Sequence, residues 1–145
     1  MSVIEWGIHF YTGLEEVDRQ HQRLIALANR LSEVADGQPE VLDQAFGELR
    51  DYARDHFSLE ERMMEESQVD AELFRHHKHA HELFVLKLTD LWEARGKDPD
   101  LAMRELLDFL RTWIYQHILL TDRRMAMEIH MKRGTEAPHN MFTPY

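Results

Sequence analysis

Apolar positions recur every three to four residues over most of this chain, the period of a helix with one buried face. Setting His77 at zero on a helical wheel puts His81 at about 40°, Phe84 at about −20° and Leu88 at about 20°. Leu73 and Leu91 fall at about −40°, completing one stripe. Leu49, Tyr52, His56, Glu60 and Met63 share a second such face, and Leu14, Val17, His21, Ile25 and Ala28 a third. Leu106, Leu110, Trp113 and His117 share a fourth. Turn chemistry separates these stretches: Asp36-Gly37-Gln38-Pro39, the weaker Glu66-Ser67-Gln68-Val69-Asp70, Gly96-Lys97-Asp98-Pro99, and Gly134 after the last. Asp70 and Asp98 read as N-caps, and Pro99 sits at a first helical position. The pattern predicts helices over roughly residues 12–36, 40–65, 70–95 and 99–132, each about seven turns long. Short connections between similar helices imply an all-α, antiparallel up-down-up-down four-helix bundle.

Two ends fall outside this pattern. Residues 1–11 carry Trp6, Phe10 and Tyr11 and are expected to pack across the bundle as an arm. The bundle with its arm is taken as residues 1–132. Residues 133–145 contain Pro138 and Pro144, show no periodicity, and read either as a loose tail or as the lead into a further domain.

What stands out on the apolar faces is imidazole and carboxylate. His56 and Glu60 are four residues apart, as are His77 and His81, so each pair shares a helix face. With His21 upstream and His117 and Asp122 downstream, five imidazoles and two carboxylates could meet inside one bundle. Imidazole suits iron, zinc and copper, and the count fits two ions better than one. A buried Glu60 is costly unless positive charge neutralises it. His76 at about −100° and His79 at about 160° point away from the stripe. Asp122 is the awkward member: five residues beyond His117, it would lie about 140° away on a regular helix, and Thr121 would take its place. A π-bulge would turn Asp122 back onto the His117 face.

Composition narrows the chemistry. There is no cysteine, which excludes disulfides and thiolate sites. Hydrophobic residues make up 43% and charged residues 30%, as in an ordinary globular domain, and no run approaches a membrane span of ~18 apolar residues. The first eleven residues lack the basic-then-apolar order of a secretory signal, so a cytoplasmic protein is expected. A net charge of −10 repels nucleic acid and anionic lipid. The remaining histidines, His9, His76, His79, His130 and His139, read as solvated surface. Glu61, Glu65, Glu66 and Asp18 read as solvated acids, with Asp18 a candidate to orient His21. Met63 and Met64 read as core and flank.

Four segments carry a family resemblance. They are Asp18-Arg19-Gln20-His21, His56-Phe57-Ser58-Leu59-Glu60-Glu61 with Met63-Met64, His77-Lys78-His79-Ala80-His81 with Phe84, and Trp113-Ile114-Tyr115-Gln116-His117 leading to Asp122. In this order they resemble the hemerythrin family, in particular its bacterial hemerythrin-like domains. Trp6 and Tyr11-Thr12-Gly13 resemble the family's opening arm. The resemblance spans about Trp6 to Met131.

It implies a non-haem diiron centre with carboxylate and oxo or hydroxo bridges. Carried over by position, His77, His81 and His117 would hold one coordinatively full iron. His21 and His56 would hold the other, which keeps one open position, and Glu60 and Asp122 would bridge them. Dioxygen would bind reversibly there as hydroperoxide, for storage or for delivery to an oxygen-consuming enzyme. Beyond a weak peroxidase-type activity, no catalysis is expected. Ferritin-like diiron enzymes use about four carboxylates and two histidines, whereas two carboxylates and five imidazoles stabilise high-valent iron less. A dry wall would restrict proton delivery, and its candidates are Leu24, Ile25, Phe57, Phe84, Trp113 and Ile118. Two other functions share the same site: an oxygen- or redox-sensing domain that has lost its output domain, and a diiron enzyme handling peroxide or nitric oxide.

Overall fold

A computed structural model describes residues 4–33 and 38–138. Its helices are α1 (Glu15–Glu33), α2 (Pro39–Glu66), α3 (Ala71–Ala94), α4 (Pro99–Trp113) and α5 (Arg123–Arg133). A π-helical segment, Ile114–Asp122, joins α4 to α5, so the three form one continuous fourth helix of the bundle. The architecture is the up-down-up-down bundle expected, with α1 and α3 running against α2 and α4.

Local chemistry sets the helix ends. The Asp70 carboxylate accepts from the backbone N–H groups of Glu72 and Leu73 at 3.1 and 3.2 Å, and Asp98 accepts from Leu101 N–H at 3.1 Å. Pro39 and Pro99 start α2 and α4, where a missing N–H costs nothing. Gly134, at φ 71°, closes α5 in the left-handed conformation.

The first helix starts three residues later than the periodicity suggests. Asp18, one turn into α1, accepts from Thr12 N–H at 2.9 Å, Thr12 Oγ1–H at 2.7 Å and Gly13 N–H at 3.2 Å. These bonds fold residues 12–14 back over the helix start instead of letting them join it. The expected end of this helix at residue 36 lies outside the described residues.

The described part of the arm, residues 4–11, packs as expected, and residues 1–3 lie outside the described residues. Asn29 clamps Ile4 with two bonds, accepting from its N–H at 2.9 Å and donating to its carbonyl at 2.8 Å. Trp6 stacks on Phe10 at 5.3 Å, and Phe10 enters the core. Arg123 donates to the His9 carbonyl at 3.2 Å, tying the arm to α5.

The core is two apolar clusters. The larger spans residues such as Leu24, Leu49, Phe84, Leu110 and Ile118, and the smaller includes Leu14, Val17, Leu59, Met63, Met64 and Met125. Between them lies a layer of buried imidazoles and carboxylates. Among the described residues no helix is long and apolar enough to cross a membrane.

Candidate metal centre

All seven predicted groups meet in that layer. His21, His56, Glu60, His77, His81, His117 and Asp122 are each at most 4% exposed. The five imidazoles turn their Nε2 atoms inward onto two carboxylates. His77, His81 and His56 place Nε2 3.2, 3.1 and 3.3 Å from Glu60 Oε1. His21 Nε2 lies 2.8 Å from Asp122 Oδ2, with His56 Nε2 3.6 Å from the same oxygen. His77 and His117 Nε2 lie 3.0 and 2.9 Å from Asp122 Oδ1. Asp122 reaches the layer through the π-helical segment, as its spacing required. His76 and His79, one and two residues from His77, are exposed, as the wheel placed them.

The donors form two groups that share both carboxylates. One is Glu60, His77, His81, His117 and Asp122; the other is His21, His56, Glu60 and Asp122. Within each, one ligand atom per residue lies within 4.8 Å of all the others.

The hydrogen-bond inventory fits a cation. His56 Nε2, His117 Nε2, Glu60 Oε2 and Asp122 Oδ1 are fully buried yet complete no well-aligned hydrogen bond. Native interiors rarely leave such atoms orphaned. Lone pairs aimed at a common volume, rather than at each other, are what a metal-binding set looks like. The outward nitrogens are pinned to match: His56 Nδ1–H donates to Gln20 Oε1 at 2.6 Å, and His81 Nδ1–H to Glu61 Oε2 at 2.9 Å. With Nδ1 carrying the proton, Nε2 keeps its lone pair for the interior.

Without a cation, protons balance the charge. Burial by itself would lower His77 and raise Glu60. For His77 the carboxylates outweigh burial and hold its pKa up at about 10. For Glu60, burial and Asp122 are outweighed by His56 and His77, which hold its carboxyl down at about 2. Burial opposes ionisation of Asp122 as well, yet His117, His21 and His56 hold it well below the usual range. His56 is raised in spite of burial, by Glu60 and Asp122, while burial prevails at His117 and lowers it.

Aromatic rings line one side of the layer. Phe57 lies flat on His81 at 3.9 Å and Trp113 flat on His117 at 3.8 Å, with Phe84 against both. Tyr52 stacks on His56 at 5.1 Å, and burial, then Asp122 and Glu60, push its phenol pKa well up. Leu24, Ile25 and Ile118 are buried in the same cluster.

The model of the Hemerythrin HHE cation binding domain matches residues 12–129. The chain belongs to the hemerythrin family. Among curated relatives, it is 29% identical to a bacteriohemerythrin of Pseudomonas aeruginosa over 119 residues, covering 81% of this chain and 76% of that protein. It is 31% identical to one of Clostridium acetobutylicum over 125 residues, covering 81% and 95%. A bacteriohemerythrin of Stenotrophomonas maltophilia is 27% identical over 130 residues, covering 89% and 83%.

Three polar residues of this hemerythrin-family chain depart from the solvated role that pattern reading assigns them. Glu61 turns in to His81. Asp18 is buried and serves Thr12 and Gly13, not His21. His130 is buried, bonding the Thr12 carbonyl through Nε2 at 2.8 Å and Thr135 Oγ1 through Nδ1 at 2.7 Å. His139 lies outside the described residues. Gln20 and Tyr52 gained no site role from the pattern. For Gln20 and Glu61 the only signal was adjacency to His21 and Glu60.

Proposed function

We propose that this chain is a non-haem diiron protein that binds dioxygen reversibly, for storage or delivery, and that it is a carrier and not a catalyst. The observation that carries this reading is the pair of donor groups sharing Glu60 and Asp122. On it, His77, His81 and His117 would hold one iron and His21 and His56 the other, with Glu60 and Asp122 available to both. The second group has one imidazole fewer, which leaves the place for an external ligand. Two ferrous ions supply and recover the electrons that reversible dioxygen binding needs.

The protein's own part is to hold and to exclude. Gln20 and Glu61 orient His56 and His81. Five neutral imidazoles against two carboxylates restrain further oxidation. Ile25, Phe57, Phe84, Trp113 and Ile118 keep water and protons from the ligand pocket. We take residues 1–132 as the oxygen-binding unit and 133–145 as a tail. An acidic surface of net charge −10 favours neither nucleic acid nor anionic membrane, and we assign the protein to the cytoplasm.

The test is an optical titration of the iron-loaded, anaerobically reduced protein, with iron counted per chain. About two irons per chain, and a visible band that appears in air, fades under argon and returns, is the expected result. Two irons with immediate irreversible oxidation would favour redox sensing or peroxide chemistry instead.

A further inference from the structure

One imidazole of the layer also reaches the surface. His77 turns Nε2 inward to Glu60 and Asp122, yet the same ring lines an open groove between α3 and the π-helical segment. With the Nε2 lone pair kept for the interior, Nδ1 on the outer edge of the ring carries the proton and is a donor. His56 and His81 have acceptors for that proton in Gln20 and Glu61, and His77 has none among the described residues.

The groove, about 350 Å³ in volume, has the chemistry to supply one from outside. Leu73 and Ala80 give it apolar walls, and His76, Thr121 and Arg124 give it donors. No carboxylate lines it, although the chain carries a net charge of −10. Arg124 has no acidic side chain within ion-pairing distance among the described residues, whereas Arg19, Arg30, Arg54 and Arg95 each have one. A guanidinium presents a fork of donors that matches the oxygens of a carboxylate, a phosphate or a sulfate. An anion seated there would accept from His77 Nδ1–H and do for this ring what Glu61 does for His81.

We propose that the groove binds a small oxyanion, held by Arg124, Thr121 and the outer nitrogen of His77, and that the bound anion tightens the hold of the layer on metal. The second half of this inference rests on the diiron reading above.

The experiment titrates sulfate into the full chain by calorimetry, iron-loaded and metal-free, with ionic strength held constant by chloride. Sulfate binds at one site per chain, and Arg124→Gln weakens it about tenfold, the loss expected for a hydrogen bond between charged groups. Arg75→Gln removes the same charge from α3 outside the groove and leaves the affinity unchanged. In competition with a chelator, saturating sulfate raises the iron affinity of the wild type about tenfold and that of Arg124→Gln not at all. Equal sulfate affinity in wild type and Arg124→Gln overturns the site. So does an equal loss in Arg75→Gln, which would make the binding a diffuse attraction. Arg124-dependent binding with no change in iron affinity overturns the link through His77. A wild-type chain that takes up no iron overturns the diiron reading instead, and the metal-free titration still decides whether the groove is a site.

Discussion

His117 Nε2 lies 2.9 Å from Asp122 Oδ1, although five residues separate them on one helix. A regular α-helix would hold these side chains about 140° apart. The π-helical segment Ile114–Asp122 absorbs the extra residue, so that Asp122 faces the layer and α5 continues with Met125, Ala126 and Ile129 in the core. Deleting Thr121 would restore four-residue spacing and let the segment relax to α-helix. The expected outcome is retained metal stoichiometry and an unreduced melting temperature. Loss of metal would show that the carboxylate position depends on the π turn itself.

Glu61 holds His81 from behind at 2.9 Å. Replacing such an outer partner typically costs about 10- to 100-fold in metal affinity. Glu61→Ala should weaken metal binding by that order, as read by competition with a chelator, with the helical content unchanged. An affinity equal to wild type would reduce the contact to a surface pair.

Stability of the metal-free protein should peak in mildly acid solution. The Glu60 carboxyl is held down at about 2 from 4.5, so its contribution is whole above pH 4.5 and disappears as pH falls toward 2. His77 is held up at about 10 from 6.5, so its contribution is whole below pH 6.5 and disappears as pH rises toward 10. Melting in the presence of chelator should give a plateau between about pH 4.5 and 6.5, with losses on both sides. A melting temperature that climbs from pH 6.5 to 9 would contradict this.

Metal loading should release protons. At neutral pH the metal-free layer carries a proton on His77, and a metal ligand must be neutral imidazole. Binding in weakly buffered solution should acidify it, and apparent affinity should rise from pH 6 to 8. His77→Ala should lose metal and also lower the metal-free melting temperature, because Glu60 and Asp122 then lose one of the imidazoles that balance their charge.

Gly13 sits at φ 78°, where a Cβ would lie 2.8 Å from Pro138 and 2.9 Å from the His130 ring. Gly13→Ala therefore combines backbone strain with a clash and should destabilise by about 1–3 kcal/mol. Asp18→Ala, which strands the Thr12 and Gly13 donors, should cost a similar ~1–3 kcal/mol. Neither should change the metal stoichiometry. A drop in metal content at unchanged stability would instead tie this latch to the layer.

Sequence alone determined the helices, their faces and the set of residues brought together. Periodicity and four-residue spacing are local properties, so the wheel separates His77 and His81 from His76 and His79. It also shows that Asp122 needs an irregular turn. Tertiary structure decided what the second row of polar residues does. Asp18, Glu61 and His130 have the types and spacings of surface residues; Asp18 is claimed by the turn just before its own helix, and Glu61 and His130 by partners on other segments. Glu61 meets His81 across the α2–α3 interface, and His130 meets Thr12 118 residues away. Such pairings have no period, because hydrogen bonds between elements depend on where whole helices pack. The stacking of Tyr52 on His56 and of Trp113 on His117 is a property of the packed interior, since it requires the neighbouring helices to be in place.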